Sequence, residues 1–574
     1  MLTKLVVRNF KRFGQVEIEL GNPVVFIGPN NSGKTTALQA LALWEVGVKR
    51  WNEKRKGKST PEKRPGVTIN RRDLLAVPIP DANLLWRDLH VRDVQQSDGK
   101  PKTKNIRIDI IVEGVTKGKI WTCGLEFDYA NEESLYCRPL RISEEKDSQR
   151  MPVPEESATV QLAFLPPMSG LAAQETRLDP GAINVRIGEG RTAEVLRNLC
   201  YTLVSKEAGK NGWAKLVDQI KSLFGVALDK PTYISERGEI VMSYTETSGV
   251  HLDLSCSGRG LQQTLLLLAY LHVFPGAVLL LDEPDAHLEI LRQQQIYQLL
   301  TDISRQKGNQ IIVASHSEVI LNEAADRDMV VAFVGNPHRI DDQGSQVLKA
   351  LKQIGFDQYY QAELKGWVLY LEGSTDLAIL RTFATTLSHP ASRALERPFV
   401  HYVGNQPTKA RDHFYGLREA KASLRGVALF DRLEQGIQTG TALLEMMWRR
   451  REIENYLCMQ DMLISYAEAM QKDVLGPLFT EEGPQNRRRC MQESIAEVEA
   501  ALQTLQKGSP WSPDTKSSDD FLVPLFEAYF KKLNLPNLMS KTDFHRLAEF
   551  VPRDQLDPEV SEKLNEIVRI SGDS

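Results

Sequence analysis

Cysteine is scarce. Six residues are spread over 574 (Cys123, Cys137, Cys200, Cys256, Cys458, Cys490), with no Cys-x-x-Cys pair. That scatter excludes zinc-ribbon and thiol-redox chemistry and suits a reducing cytosol, so a cytoplasmic location is expected. Net charge is also slight: 71 Lys+Arg stand against 75 Asp+Glu. Global charge therefore makes no case for nucleic acid, and any such contact must use a local patch. Unbroken apolar runs of membrane-spanning length are missing too. Thr264–Leu281 comes nearest, but Pro275-Gly276 breaks it and Asp282-Glu283 closes it, so it reads as buried helix, turn and buried strand. No membrane partner is expected, and the opening residues hold no apolar segment of signal-peptide length. No internal repeat and no heptad run are visible, which excludes long coiled-coil arms. With 42% apolar and 25% charged residues, 38 Gly and 28 Pro, the composition excludes disordered, collagenous and disulfide-framework classes. The length suggests about three or four compact units.

The pattern along the chain is α/β. Val16–Leu20 alternates apolar and acidic residues, as in a half-buried strand, whereas Val24–Ile27 is continuously apolar, as in a strand covered on both faces. Residues 49–65 are basic and polar and read as an exposed loop; strand-like segments follow near 106–112 and 119–128. Helical spacing covers 190–224, an αβ block covers 255–345, and Trp367–Leu371 starts a second buried strand after Gly366. Charged helices are expected from 440 onward, with a Ser/Pro/Asp-rich joint at 508–519.

Between a buried strand and a helix stands Gly28-Pro29-Asn30-Asn31-Ser32-Gly33-Lys34-Thr35, a G-x-x-x-x-G-K-[ST] loop. Backbone amides of Asn30, Asn31, Ser32 and Gly33 can close around phosphate oxygens, with Thr36 continuing the helix N-terminus. Lys34 would reach the β/γ-phosphates of ATP, and the Thr35 hydroxyl would ligate Mg²⁺. The apolar strand Val278–Leu281 ends in Asp282, suited to the Mg²⁺ shell, and Glu283, suited to polarising water. Ile311–Ser315 ends at His316, placed to touch the γ-phosphate, and Ser257-Gly258 precedes an apolar helix as a second anion site. In these motifs and their order, the chain resembles the ABC-type ATPase heads of the SMC and recombination-repair class. Gly28–Thr35 looks like Walker A, Asp282-Glu283 like Walker B, Pro284–Leu288 like the D-loop, and Ser257–Gly260 like a degenerate signature loop. Val7–Phe13 is similar to the N-terminal strand motif of these heads. The resemblance implies a homodimer or higher homo-oligomer, in which one head's signature meets ATP held by another. It also makes about 165–250 a candidate short helical dimerisation insert.

A second acidic centre follows. Glu372 ends Leu369–Leu371, Asp376 opens the next helix after a Gly turn, and Asp431 ends Val427–Phe430. Acids at the carboxyl ends of neighbouring parallel strands converge, and a hard cation, Mg²⁺ or Mn²⁺, is their natural occupant. The bland alternative is a helix cap and ordinary turn acids. The layout resembles a TOPRIM domain, and head plus TOPRIM resembles the OLD (overcoming lysogenization defect) family of ATPase–nucleases. Glu372 and Asp376 fit that family's glutamate motif, Val403-Gly404-Asn405 its glycine-bearing strand end, and Asp431 the first acid of its Asp-x-Asp motif. Leu433 stands where the second acid belongs; either Glu434 substitutes or metal binding is weakened. Glu454 in Arg451–Leu457 is the preferred further ligand, and Lys541 resembles the family's late lysine, where it would stabilise phosphate charge. The resemblance implies an ATPase head at 1–345, a linker at 346–365 and a TOPRIM-like nuclease domain with helical additions at 366–574.

Basic segments at 49–64, Arg449–Arg451 and Arg487–Arg489 are candidate DNA contacts, each with a solvated face as its alternative. The expected function is a nucleotide-regulated, metal-dependent DNA endonuclease. The resemblance implies a prokaryotic anti-phage role beside a co-encoded partner such as a helicase, second nuclease, or retron reverse transcriptase with its msDNA. The alternative is an ATP-sensing scaffold with a degenerate TOPRIM half. A topoisomerase or primase is disfavoured, because neither a catalytic tyrosine motif nor a zinc segment can be identified.

Overall fold

The computed structural model describes the chain except residues 56–65, 98–99, 143–148, 168–170, 172–173, 206–209, 326, 341–353, 435, 439–441, 470–483 and 573–574. It divides into two units, Met1–Leu348 and Lys349–Ser574.

In the first unit one sheet has the order Leu162–Leu165, Val278–Asp282, Gln310–Ser315, Val24–Ile27, Met329–Ala332, His338–Arg339. All neighbours are parallel except the last pair. Val24–Ile27, Val278–Asp282 and Gln310–Ser315 are buried at every position, which is why they read as unbroken apolar runs. Register pairs Asp282 with Ala314 and Ser315 with Ile27, so Gly28, Asp282 and His316 leave the sheet at one edge. The other sheet is antiparallel, in the order Phe13–Glu19, Leu2–Phe10, Ile108–Thr116, Lys119–Asn131, Ser134–Pro139, Val67–Asn70. Helix Lys34–Arg55 contacts both sheets, and Phe26, Leu41, Leu125 and Ile312 share one core. Its Gly47 is needed for that fit: a Cβ there would come within 2.7 Å of Leu125 Cδ1.

The segment expected to be helical over about 165–250 is only partly so. Helices occupy Pro180–Gly188, Leu196–Ser205 and Lys210–Phe224; the last two pack on helix Arg259–Val273. Beyond Gly225 come short strands (Ala227–Leu228, Thr232–Ile234, Glu239–Val241, Ser243–Thr245, His251–Asp253). Their alternating β-branched and aromatic residues favour pleated pairing over a helix.

The second unit is built on a parallel sheet in the order Val400–Tyr402, Trp367–Leu371, Arg425–Phe430, Leu443–Met447. Leu369, Leu371, Val427 and Leu429 face a core shared with the C-terminal helices. Tyr370 turns the other way, against His413 and Phe414 of helix Pro407–Ala420. Two expectations need correcting. Residues 356–365 are no linker: Phe356–Lys365 is a helix that buries Phe356, Tyr359 and Ala362 along one face. The stretch after 440 opens with the strand Leu443–Met447, because a short apolar run does not by itself distinguish strand from helix. The remaining linker residues, 346–353, lie outside the described residues.

Candidate functional site

The first site forms where the Gly28–Thr35 loop leaves its strand. Gly33 has φ of 109° and a Cβ there would sit 2.8 Å from the Phe13 ring, so only glycine fits; Asn31 (φ 61°) is also left-handed. Lys34 is 5% exposed, and its Nζ donates to the carbonyls of Gly28 (2.7 Å) and Pro29 (2.8 Å). Burial holds its pKa below the ordinary lysine value, against the pull of Glu283 and Asp282. The Ser32 hydroxyl is buried with no hydrogen-bond partner. The Thr35 hydroxyl donates to Asp282 Oδ2 at 2.8 Å. Burial pushes Asp282 up to about 6, opposed by the Thr35 bond and reinforced by Glu283. His316 Nδ1 lies 3.6 Å from Glu283 Oε1. Asn30–Thr36 and Glu283 line a cavity of about 290 Å³.

These groups fit a nucleotide triphosphate with Mg²⁺. An orphaned hydroxyl and a buried ammonium turned onto its own loop are donors suited to phosphate oxygens, and the Thr35–Asp282 pair is a hard oxygen set. Ser257 and Gly258 do not line this cavity. Ser257 is fixed by its Oγ donating to Leu254 O (2.7 Å), and Gly258 stands exposed before helix Arg259–Val273.

The second site lies where the strand order reverses, between Trp367–Leu371 and Arg425–Phe430, the place where α/β sheets bind ligands. The Glu372 amide donates to Asp376 Oδ2 (3.1 Å). The Asn405 amide nitrogen donates to both Glu372 and Asp431 (3.1 Å to the latter), while the Asp431 N–H donates back to Asn405 Oδ1 (3.0 Å). The Ile453 amide caps Asp431 at 3.3 Å. Burial, then the charge of Glu372, pushes Asp376 up to about 6. Burial, then the Glu372 hydrogen bond and charge, raises Asp431. Burial, then Glu452, with Asp376 and Glu372 adding to it, pushes Glu454 up to about 8. Glu372, Asp376, Asp431 and Glu454 thus share one electrostatic neighbourhood, and an all-oxygen set of this kind fits Mg²⁺ or Mn²⁺. Among the described residues, however, no three His, Cys, Asp or Glu side chains stand as a ready-made metal-binding group. The Asn405 amide sits between two of the acids instead.

Glu434 is exposed, on the loop after Arg425–Phe430. Lys541 forms an ion pair with Asp519, which also holds Lys516 at 2.5 Å. The positive charge of Lys516 is reinforced first by its Asp519 bond, and further by Glu452 and Glu372. Glu452 accepts from the Ser518 amide, and Asn455 Nδ2 donates to Thr515 O (2.9 Å) and Ser517 Oγ (2.7 Å), which anchors this segment. Its Ser517–Leu522 stretch is π-helical, a form often found at functional sites. Sequence reasoning missed Asn405, Glu452, Lys516 and Asp519 as site residues. Gly404-Asn405, both left-handed, was the legible signal; Lys516 and Asp519 carried none.

The arginine runs are largely engaged within the fold. Arg449 pairs with Glu562 (2.8 Å), Arg450 with Asp557 (3.0 Å), Arg488 with Glu468 (2.8 Å) and Arg489 with Glu493 (2.7 Å); Arg487 is buried. In the basic segment, Lys49 and Arg50 pair with Glu45 and Asp73, and 56–65 lie outside the described residues.

Residues 1–71 match the model of the AAA ATPase domain, and residues 216–322 match the model described as AAA domain, putative AbiEii toxin, Type IV TA system. The chain matches no curated protein. Solved structures include the SMC head domain from Thermotoga maritima: 13% identity over 59% of this chain and 98% of that one, TM-score 0.32. The Smc head with an extended coiled coil, bound to the C-terminal domain of ScpA, from Pyrococcus furiosus, gives 12% over 62% and 99%, TM-score 0.34. Those scores are too low to assign a fold. The two domain matches, falling on the loop, strand and helix that build the first site, make the N-terminal unit an ATPase-type, nucleotide-binding domain. Among the described residues no helix is long and apolar enough to cross a membrane.

Proposed function

We propose that the chain is a nucleotide-regulated, metal-dependent DNA endonuclease of the OLD type, acting in prokaryotic defence against phage. The observation that carries this reading is the meeting of Glu372, Asp376, Asp431 and Glu454 at the reversal point of a parallel sheet, in a chain that also holds an ATPase-type unit. In the first unit Lys34 and the loop amides hold the β/γ-phosphates, Thr35 and Asp282 hold Mg²⁺, and Glu283 orients the attacking water beside His316. Ser257-Gly258 meets the nucleotide of a second copy, which accounts for its absence from the cavity of its own chain.

In the second unit the four acids hold Mg²⁺ or Mn²⁺, which when bound supplies Lewis-acid polarisation of a phosphodiester. Asn405 gives Glu372 and Asp431 a shared donor, and Lys541 and Lys516 set positive charge at the rim for the DNA phosphate. The test is cleavage of plasmid DNA by the full chain with Mg²⁺ or Mn²⁺. Full activity in a Glu372→Ala/Asp431→Ala double variant removes the site.

A second reading has a specific observation behind it. Leu433 takes the place of an acid, and no ready-made three-ligand group stands among the described residues. On that reading the second unit is a degenerate scaffold that holds a separate effector. Calorimetric titration of Mn²⁺ into the full chain separates the two: heat lost in Glu372→Ala supports the nuclease, and no heat supports the scaffold.

A further inference from the structure

Arg197 lies in helix Leu196–Ser205 and is 1% exposed. A guanidinium so deeply placed needs a carboxylate, and the near buried one is largely committed elsewhere. Glu175 takes the backbone amides of Arg197 (2.9 Å) and Asn198 (2.6 Å) and the Asn198 side chain (2.8 Å), and stands 4.0 Å from Arg197 Nη1. Arg197 Nη2 instead donates outward to Asp253 Oδ1 at 3.0 Å, a carboxylate with 44% of its side chain exposed. The same Asp253 oxygen accepts from the Ser255 amide (2.8 Å) and so caps the turn Leu254–Cys256. Ser257 is bonded back onto that turn through both its amide (3.1 Å) and its hydroxyl (2.7 Å) to Leu254 O. One continuous path therefore runs from the buried helix through Arg197 and Asp253 to half-buried Ser257 and exposed Gly258.

We infer that Arg197, acting through Asp253, is a positioning residue that fixes the Ser257-Gly258 loop for the nucleotide of a second copy. The inference rests on the proposed role of that loop. Gly258 has no side chain to cap the helix that follows, and a Cβ there would meet nothing within 4 Å. Its backbone is held on one side by the helix, whose Leu261 and Gln262 amides donate to Gly258 O while Gln262 Nε2 donates to Ser257 O (2.9 Å), and on the other by the turn that Asp253 caps. A loop that must approach a phosphate across an interface loses rate steeply with misplacement, while nucleotide held by the unit's own Lys34 loop is unaffected.

The test uses the full chain, with steady-state ATP hydrolysis and equilibrium binding of a fluorescent ATP analogue. Asp253→Ser keeps an oxygen to cap the turn but removes the partner of Arg197. It is expected to lower kcat about tenfold and leave analogue affinity within twofold. Arg197→Gln is expected to do the same, and the double variant to be no worse than either single one, because both break one path. Wild-type kcat in Asp253→Ser, or losses that multiply in the double variant, overturns the inference; if Arg197→Gln fails to fold, Asp253→Ser decides alone. Ser257→Arg separates the inference from its premise. If it hydrolyses ATP like wild type, the loop has no such role and the inference falls with it. If it abolishes hydrolysis while Asp253→Ser keeps wild-type kcat, the loop keeps its role and only the Arg197 path is rejected.

Discussion

The two units place their chemistry at the same kind of address, the carboxyl edge of a parallel sheet, but furnish it with opposite charge. At the first, a buried ammonium, an orphaned hydroxyl and a loop of backbone amides gather as donors, with Asp282 already satisfied by Thr35. At the second, burial and the charge of Glu372 raise Asp376, Asp431 and Glu454, and the Asn405 amide bridges Glu372 and Asp431. A site of donors can take a phosphate directly. A site of acceptors repels one until a cation has intervened. Sheet topology decides where a ligand binds, and the side chains at the strand ends decide in what order things bind.

The sharpest way to test that contrast is to remove the central charge of each site and read both activities. Lys34→Ala is expected to abolish nucleotide binding in the analogue assay, and Glu283→Gln to lower ATP hydrolysis by about 10²–10⁴-fold with nucleotide still bound. Glu372→Ala/Asp431→Ala is expected to lower plasmid cleavage to background while ATP hydrolysis stays within about twofold, since the acids lie in a separate unit. Cleavage unchanged by that pair would break the comparison.

A smaller effect follows from proton linkage. Asp376 and Glu454 have native pKa values above their unfolded ones, at about 6 and about 8. The native state therefore binds more protons than the unfolded state between roughly pH 4 and pH 8, and stability falls as pH rises through that window. In EDTA, thermal melting is expected to drop from pH 5.5 to pH 8.5, and added Mn²⁺ to restore more of it at pH 8.5 than at pH 5.5. Smallest is Glu454→Gln, which removes one buried charge and is expected to raise Tm at pH 8 by roughly 2–4 °C in EDTA. A melting curve flat with pH in the wild type would mean these acids do not form one field.

The first site was far more legible in the sequence than the second. Its residues lie on one short loop and two strand ends, and apolar runs with fixed punctuation mark all three. The strand ends Glu372 and Asp431 were legible for the same reason. Lys516 and Asp519 were invisible, since they reach the acids through a π-helical turn held by Glu452 and Asn455 from elsewhere in the fold. The Leu443–Met447 strand and the Phe356–Lys365 helix were missed where short apolar runs or partial helical faces fit more than one element.

Helix Lys34–Arg55 begins at the phosphate loop and is gripped by the two six-stranded sheets of the first unit. Gly47 lies 13 residues along it, about 20 Å from Lys34. A methyl group added there would stand 2.7 Å from Leu125 Cδ1 and 3.0 Å from Cys137 Sγ, so either those side chains or the helix must give way. Where the helix gives way, it works as a lever, and a displacement at one end reaches the phosphate loop at the other. Gly47→Ala is therefore expected to be felt at the loop through packing alone.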